Sequence, residues 1–565
     1  MPQATLHRAA GIAVPTLVST LAISCVFTSV VFLDGPAKYL FTPLGLVVVF
    51  AMLASYGLSR TLTPIVIGLL LKSERHGPSA GLPNGVFARF HTAFERGFEA
   101  MRRGYSRSLT ELLRHRFIIP AAMLLTVGLG VVLFPLVGRD FFPVIDGGQI
   151  QLHVRAPAGT RIEATERIFQ EVENRIREVI PDNERDLIVD NIGLPARAYN
   201  LAFTDGSTIG VNDGVILVSL KEAHRPTAEY VRRLRQVLPA SFPEDTFYSQ
   251  AADIVTQILN FGLPAQIDVR TVGYDRANLR VARELRRRIA AIRGVADAHL
   301  QQEVDAPAFL ADIDRTRAAQ LGLNANTIAT NIDVSLSSSE QVTPNFWTDP
   351  KSGIPYYLAV QTPENRMSSL NDLANTPVST SLASAQTDTP IPGLLGNVAT
   401  VKRTSIPTNA NQANIQPVYE VYASMQGRDL GGVAGEIGTI VAELQKQLKP
   451  GNTIQVIGQI RSMNGAFIDL GIGLLFAAVF LYLLMVVNYQ NFGDPFVVIL
   501  ALPATLCGIL TMLFITGTTL NVPSLMGAIM AVGVASANSI LLVTFAREQQ
   551  LAGKTAFEAA IEGRY

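Results

Sequence analysis

Apolar residues collect in six long runs along the chain, near residues 11–33, 42–71, 117–137, 465–487, 495–517 and 522–546. Each run is close to the roughly 20 apolar residues that an α-helix needs to cross a bilayer. Buried helices of soluble proteins seldom run this long without charge, so the pattern predicts six membrane-spanning helices. Acidic and basic residues balance at 46 each, which gives no indication of a nucleic-acid partner.

The distribution of lysine and arginine predicts how these helices are oriented. The segment 72–116 carries nine basic residues, which is typical of a cytoplasmic segment. Counting spans outward from it places residues 138–464 on the opposite side of the membrane and the tail 547–565 in the cytoplasm. Within residues 84–114, apolar residues, mostly phenylalanines, recur every three or four positions among arginines, which indicates an amphipathic helix at the lipid headgroups. A helix docked on other cytoplasmic segments fits this spacing equally well.

Between the third and fourth runs, strand-like and helix-like segments alternate. Strand–helix–strand cycles occupy residues 138–263 and continue over 264–337 and 416–460, an arrangement typical of ferredoxin-like subdomains. Residues 338–415 differ, because they are rich in Ser, Thr, Pro, Asn and Gln and lack helical periodicity. We interpret them as a β-rich insertion. The predicted fold class is a polytopic α-helical membrane protein with a large extracytoplasmic α+β region.

Three local sequences, taken with this order of elements, carry a resemblance to a known family. They are G-R-D-F-F-P-V-I-D-G-G-Q-I (138–150), N-Y-Q-N-F-G-D-P-F (488–496) and T-G-T-T-L-N-V-P-S-L-M-G (516–527). The chain resembles a resistance–nodulation–division (RND) efflux permease of the multidrug type. The resemblance implies two periplasmic porter subdomains with an inserted docking subdomain at 338–415.

The same resemblance implies that the chain is a fragment of a twelve-span protein. Residues 1–71 would match the family's fifth and sixth spans, residues 117–137 its seventh, and residues 461–546 its eighth to tenth. Residues 72–116 would form the cytoplasmic amphipathic helix segment, and residues 547–565 a truncated cytoplasmic tail.

The resemblance also implies a function. Such permeases lie in the bacterial inner membrane and export hydrophobic or amphiphilic compounds by proton antiport. They work as homotrimers with a periplasmic adaptor protein and an outer-membrane channel. We therefore expect a transporter rather than an enzyme, and no cofactor. Two alternatives stay open: a truncated, transport-inactive membrane protein, and a heavy-metal-exporting member of the family.

The last apolar run offers candidate coupling residues. Aligning residues 533–546 with the family's tenth span puts Ala537 where many members have a lysine of the proton relay. Alanine carries neither a charge nor a side-chain donor, so a relay through this position is in doubt. Ser536, Asn538 and Thr544 could form a polar lining together with Ala537. Alternatively, the small residues of this run serve only close helix packing.

The segment Leu194–Gly214 resembles the loop that controls passage through the porter cleft of the family. It offers Tyr199 and Phe203 as substrate-path residues, because large aromatic surfaces suit poorly specific binding of amphiphiles. A surface loop whose aromatics pack on their own subdomain is the alternative. Histidines and methionines of the external domain are widely scattered in sequence and show no metal-ligand spacing. We therefore predict no metal site.

Overall fold

The computed structural model describes residues 13–70, 86–115, 117–143, 145–194, 206–250, 252, 254–259, 264–342, 344–379 and 393–562. The first four α-helices within these residues are α1 (Ala13–Thr28), α2 (Gly35–Leu70), α3 (Val86–Arg114) and α4 (Ile118–Leu133). Helices α1, α2 and α4 are mostly apolar, with Lys38 and Arg60 as the charged residues of α2, whereas α3 alternates apolar and charged residues. Because α3 leaves Phe94, Phe98 and Met101 exposed, it has the amphipathic character predicted for this segment.

The first α/β unit follows α4. It contains β1 (Gln149–Arg155), α5 (Ile162–Val179), β2 (Arg185–Ile192), β3 (Asp213–Leu220), α6 (Thr227–Ser241), β4 (Thr246–Gln250) and the short α7 (Ile254–Leu259). The strands form one antiparallel sheet in the order β2-β3-β1-β4. Buried residues recur every three or four positions in α5 and α6 and form one face of each helix. On these faces, Phe169 of α5 and Leu234 of α6 pack with Leu152 and Ile216 of the sheet.

A second unit begins with β5 (Ile267–Val272), α8 (Asn278–Ala290) and β6 (Val295–Leu300). The chain then leaves this sheet and forms an insertion before returning to it. The insertion contains, in chain order, β7 (Ala306–Ile313), α9 (Arg315–Gln320), α10 (Ala325–Ser337), α11 (Ser339–Val342), β8 (Asn345–Thr348), β9 (Pro355–Leu358), α12 (Leu370–Ala374), β10 (Pro377–Val378), β11 (Gly393–Leu394), α13 (Leu395–Val398) and β12 (Ala399–Ile406).

The insertion starts earlier than the sequence pattern suggested. Strand β7 pairs along its whole length with β12, and Ile328 of α10 packs with Leu395 and Val398. Residues 306–337 therefore belong to the insertion by pairing and packing, whereas the predicted boundary was residue 338. The reason is physical: a strand followed by a helix continues the local pattern of the second unit, and only the distant partner strand reveals its true sheet.

The second unit is completed by β13 (Asn411–Ala413), β14 (Gln416–Met425), α14 (Leu430–Gln445) and β15 (Thr453–Gly458). Strand β14 pairs with both β6 and β5, and β15 pairs with β5, all antiparallel. The order β6-β14-β5-β15 repeats the order of the first unit, with the insertion placed between the second and third strands of the sheet.

Helices then resume without a linker. They are α15 (Gln459–Tyr489), α16 (Gly493–Ile499), α17 (Ala501–Thr516), α18 (Val522–Leu551) and α19 (Ala556–Glu562). Helix α15 starts directly after β15, and Gly458 allows this change of direction because its φ of 72° favours glycine. Helix α18 starts with a capping box between Asn521 and Ser524.

The apolar helices meet the length and composition expected of membrane spans. Five of them qualify within the described residues: Ala13–Phe32, Ala37–Val66, Gln459–Tyr489, Gly493–Thr516 and Val522–Leu551. The predicted span at 117–137 corresponds to α4, which has 16 residues and qualifies only together with α3, at a bend of 97°. The bundle therefore contains five candidate spans, or six if this bent pair is one.

Helices α4 and α17 approach closely enough for a specific stability test. A Cβ atom added at Gly130 would overlap Sγ of Cys507, whereas one added at Gly128 would meet no atom within 4 Å. We predict that Gly130→Ala lowers the melting temperature of the purified protein in detergent, because overpacking is destabilising.

The control is Gly128→Ala, which we expect to leave the melting temperature nearly unchanged. The double variant Gly130→Ala/Cys507→Ala should recover part of the loss, since it removes the sulfur that the new methyl group meets. Equal melting temperatures for the two glycine variants would contradict the α4–α17 contact.

Candidate functional site

The first candidate region is the face of α18 that the sequence singled out. Ser536 and Ala537 are both buried, and Ala537 packs against Ile23 and Phe27 of α1. The Ser536 hydroxyl donates to the carbonyl oxygen of Val532 at 2.7 Å, within its own helix. Position 537 therefore lies in an apolar helix–helix contact in which a small residue allows close approach.

Asn538 and Thr544 do not join Ser536 in one lining. The Asn538 side chain is exposed in the described structure, on another face of α18. The Thr544 hydroxyl lies further along the helix, where it donates to the carbonyl oxygen of Ile540 at 2.8 Å. The hydroxyl of Tyr489 lies 3.0 Å from the Thr544 oxygen and donates to the same carbonyl at 3.1 Å.

An ion pair that the sequence analysis did not single out lies beside Thr544. Arg547 of α18 pairs with Asp494 of α16, and its guanidinium carbon is 5.8 Å from the centre of the Tyr489 ring. Tyr489 and Asp494 both belong to the 488–496 motif, which in the sequence indicated only the resemblance to the family. Their positions on two helices flanking a turn gave no local signal that they would meet α18.

The second candidate region is the boundary between the two α/β units. Tyr199 and Phe203, the predicted substrate-path residues, lie outside the described residues. The described boundary contains a buried polar cluster instead. Arg155 of β1 donates from Nε to Asp213 of β3 at 3.1 Å, and from its terminal nitrogens to the backbone and side-chain oxygens of Gln301, both at 3.3 Å. Because Gln301 follows β6, one arginine links both units.

Stacked rings cross the same boundary. The ring of Tyr248 in β4 lies between two imidazoles, with centroid distances of 4.2 Å to His153 and 3.8 Å to His299. The His153 ring contacts the Asp213 carboxylate through Nε2. The Nδ1–H of His299 donates to the carbonyl oxygen of Asp297 at 2.7 Å if that nitrogen carries the proton. The stack is therefore anchored by polar groups on both sides.

Burial sets the protonation of this cluster. Desolvation lowers the pKa of His299 to about 3, so its imidazole is neutral near pH 7. Burial alone would raise the pKa of Asp213, but hydrogen bonds and charge attraction from His153 and Arg155 lower it overall. In the second sheet, burial raises the pKa of Asp268 to about 7, and Arg270 beside it opposes that shift. The boundary between the two units therefore contains the neutral imidazole of His299 and the charged pair of Arg155 and Asp213.

A cavity of about 510 Å³ lies where the two units meet the segment that leaves α4. Apolar side chains of its lining include Phe142, Ile145, Val231 and Met425, and polar ones include Arg232 and Gln426. The lining comes from several segments that are distant in sequence. No local pattern could have identified it, which is why the sequence analysis missed this cavity.

Within the described residues, no group of three His, Cys, Asp or Glu residues is close enough to hold a metal ion. The two buried histidines of the boundary face opposite sides of the Tyr248 ring, so they cannot share one ion.

A bundle of candidate membrane spans that carries an α/β region of two similar units defines a polytopic membrane protein. Residues 2–564 match the AcrB/AcrD/AcrF family, and the chain belongs to this family of RND permeases. The multidrug resistance protein MdtC of Klebsiella pneumoniae (strain 342) is 24% identical over 99% of this chain and 51% of its own length. The cation efflux system protein CzcA of Alcaligenes sp. (strain CT14) is 21% identical over 94% of this chain and 48% of its own length.

A solved structure shares this fold. It is titled "X-ray crystal structure of a heavy metal efflux pump, crystal form I", and matches with a TM-score of 0.75 and 21% identity over 99% of this chain and 53% of that chain. The chain thus spans about half the length of the relatives and the solved chain that it matches. The similarity to the solved structure shows the RND permease fold, whereas the relatives carry names of both multidrug and cation efflux proteins.

The neutral histidine at the unit boundary predicts a pH-dependent stability. Between pH 6.5 and about 3 the unfolded chain binds a proton at His299 that the folded chain does not, so folding weakens as the pH falls through this window. The contribution of this residue should change by at most about 1.4 kcal/mol per pH unit. We predict that His299→Phe, which keeps a ring against Tyr248, flattens the fall of the melting temperature below pH 6.5.

The matched control is Phe247→Leu, which alters a partly buried ring next to Tyr248 in β4 and removes no titratable group. It should leave the pH dependence of the melting temperature as in the unaltered chain. An unaltered pH dependence in His299→Phe would refute the assignment of a neutral buried imidazole at the boundary.

Proposed function

We propose that this chain forms part of an inner-membrane permease that exports hydrophobic or amphiphilic compounds by proton antiport within a tripartite envelope complex. The observation that carries the proposal is the cavity of about 510 Å³ between the two α/β units, next to the end of the helix bundle. Its mixed lining offers apolar area, from residues such as Phe142 and Met425, to a hydrophobic body, and charged groups, such as Asp146 and Arg232, to a polar head. Access next to the bundle suits compounds that partition into lipid.

The α/β units fit the roles that the family resemblance implies. In this proposal both are ferredoxin-like porter subdomains on the periplasmic side, and the cleft between them is the substrate path, for which Tyr199 and Phe203 stay the candidate residues. The insertion acts as the docking subdomain. Its β8–β9 hairpin exposes Phe346, Trp347 and Tyr356, an aromatic surface suited to contact another chain of a homotrimer, the adaptor or the outer-membrane channel.

Ion coupling along α18 would differ from that of family members that have a lysine in this helix. Ala537 contributes no charge and makes an apolar contact with α1, whereas Ser536 and Thr544 each contribute a hydroxyl group to this helix. Asn538, on an exposed face, would line the side of α18 turned away from α1. We propose that proton movement next to this helix uses hydroxyl groups and water rather than an amine at position 537.

Metal export is the second candidate. It is favoured by the names of the cation efflux relative and of the solved heavy metal efflux pump, each 21% identical to this chain. These identities are close to the 24% of the multidrug relative. The cavity lining favours the amphiphile instead, because Met425 is its one soft donor. A transport-inactive membrane protein is the outcome if neither class is exported.

The test measures how much dye accumulates in cells of an efflux-deficient bacterial host. The host carries the gene together with the genomic sequence that flanks it. We predict lower accumulation of an amphiphilic fluorescent dye, and loss of this effect in Ala228→Trp, because the indole would fill the cavity from α6. The matched control is Ala240→Trp, an exposed alanine near the end of the same helix that does not line the cavity. Unchanged dye accumulation together with greater tolerance to zinc, cobalt or cadmium would overturn the amphiphile proposal in favour of metal export.

A further inference from the structure

The short segment Gly138–Phe141, which leaves α4 toward the first unit, pairs along one edge with the start of α18. The amide of Leu520 donates to the Gly138 carbonyl at 2.8 Å, and the Asp140 amide donates to the Leu520 carbonyl at 3.0 Å. The amide of Val522 then donates to the Phe141 carbonyl at 3.1 Å. This is a short parallel β-type contact, with Arg139 opposite Leu520. The segment therefore holds the loop from which α18 begins.

The opposite edge of the same segment holds the start of α14 in the second unit. The amide of Gly431 donates to the Arg139 carbonyl at 2.7 Å, and the Arg139 amide donates to the Asp429 carboxylate at 3.0 Å. The amide of Leu430 donates to the Asp140 carboxylate at 2.7 Å. Successive residues of an extended chain point their amides to opposite edges, so one segment serves both neighbours.

Two carboxylates hold this three-way contact together. Asp429 also caps α14, because the oxygen that accepts from Arg139 accepts from the Gly432 amide at 2.8 Å. Asp140 reaches α14 through its side chain and α18 through its own amide. Asp429 therefore bonds both the Gly138–Phe141 segment and α14, and Asp140 bonds both α14 and the loop before α18.

Close packing makes the contact rigid. Phe141, Leu430 and Val522 are each at most 2% exposed and belong to one apolar core. A Cβ atom at Gly431 would lie 2.7 Å from Cβ of Arg139, so the two backbones approach as closely as only glycine permits. The three elements cannot slide past one another without breaking several hydrogen bonds.

We propose that Asp140 and Asp429 are positioning residues that fix the second α/β unit to the ends of α4 and α18, so that these three elements move as one body. Strand β15 already joins this unit covalently to α15. A second attachment at α14 means that a displacement of α18 reaches the sheet of the second unit directly. The consequence for transport rests on the proposed function, whereas the rigid contact itself does not.

The experiment measures the distance between spin labels at Thr439→Cys on α14 and Val534→Cys on α18, two exposed positions. The full chain is used, with Cys25→Ser and Cys507→Ala replacing its two cysteines. We expect one narrow distance distribution for this background and a broad one for Asp140→Ala. Asp140→Asn should restore the narrow distribution, because its amide oxygen still accepts from Leu430.

The matched control is Asp275→Ala, which removes a carboxylate of the same unit that accepts from the Ala277 amide at 2.9 Å away from the contact. It should leave the distribution narrow. A second variant, Gly431→Ala, retains every donor and acceptor but forces the backbones apart, and should broaden the distribution. A narrow distribution in both Asp140→Ala and Gly431→Ala would overturn the proposal.

Dye export by the same variants separates this proposal from the proposed function. Loss of export in Asp140→Ala with recovery in Asp140→Asn supports both. Export absent from every variant, including the background, together with a broadened distribution in Asp140→Ala, refutes the proposed function and supports the positioning role. Full export in Asp140→Ala despite a broad distribution would overturn the part of the proposal that concerns transport.

Discussion

The buried pair of Arg155 and Asp213 is the interaction on which the α/β region depends. Each charge is costly to remove from water, and breaking such a pair by removing one partner typically costs about 3–5 kcal/mol. Most partners of the pair belong to the first unit, among them Tyr248 and the backbone of Ser207. Arg155 also donates to the oxygens of Gln301 in the second unit, so the same buried charge joins the two units.

Local patterns were sufficient for the helices and for most strands of the two units. Runs of apolar residues identify the spans because a helix in lipid must satisfy its own backbone groups and expose apolar side chains. The insertion boundary was not predictable in this way, since β7 finds its partner β12 about 90 residues later. The pairing of distant strands depends on the whole fold.

In the candidate sites too, local patterns predict some features, whereas others depend on contacts between distant segments. The sequence identified α18 and the small residue Ala537, and the structure places this residue against α1. It could not show that Asn538 and Thr544 face different surroundings, or that Tyr489 and Arg547 would meet there. Helical spacing assigns a face to a residue, but neighbouring helices decide what that face contacts. The cavity between the units, assembled from distant segments, lies beyond any local pattern.

The repeated strand order has a consequence for how this architecture can diversify. In the first unit residues 193–212 connect the second strand to the third along the chain, and in the second unit the same connection carries the whole insertion from β7 to β12. Loops that leave a sheet at its edge can lengthen at little thermodynamic cost. One topological position can therefore hold either a short connection or an entire inserted subdomain, and new surfaces can be acquired without redesigning either sheet.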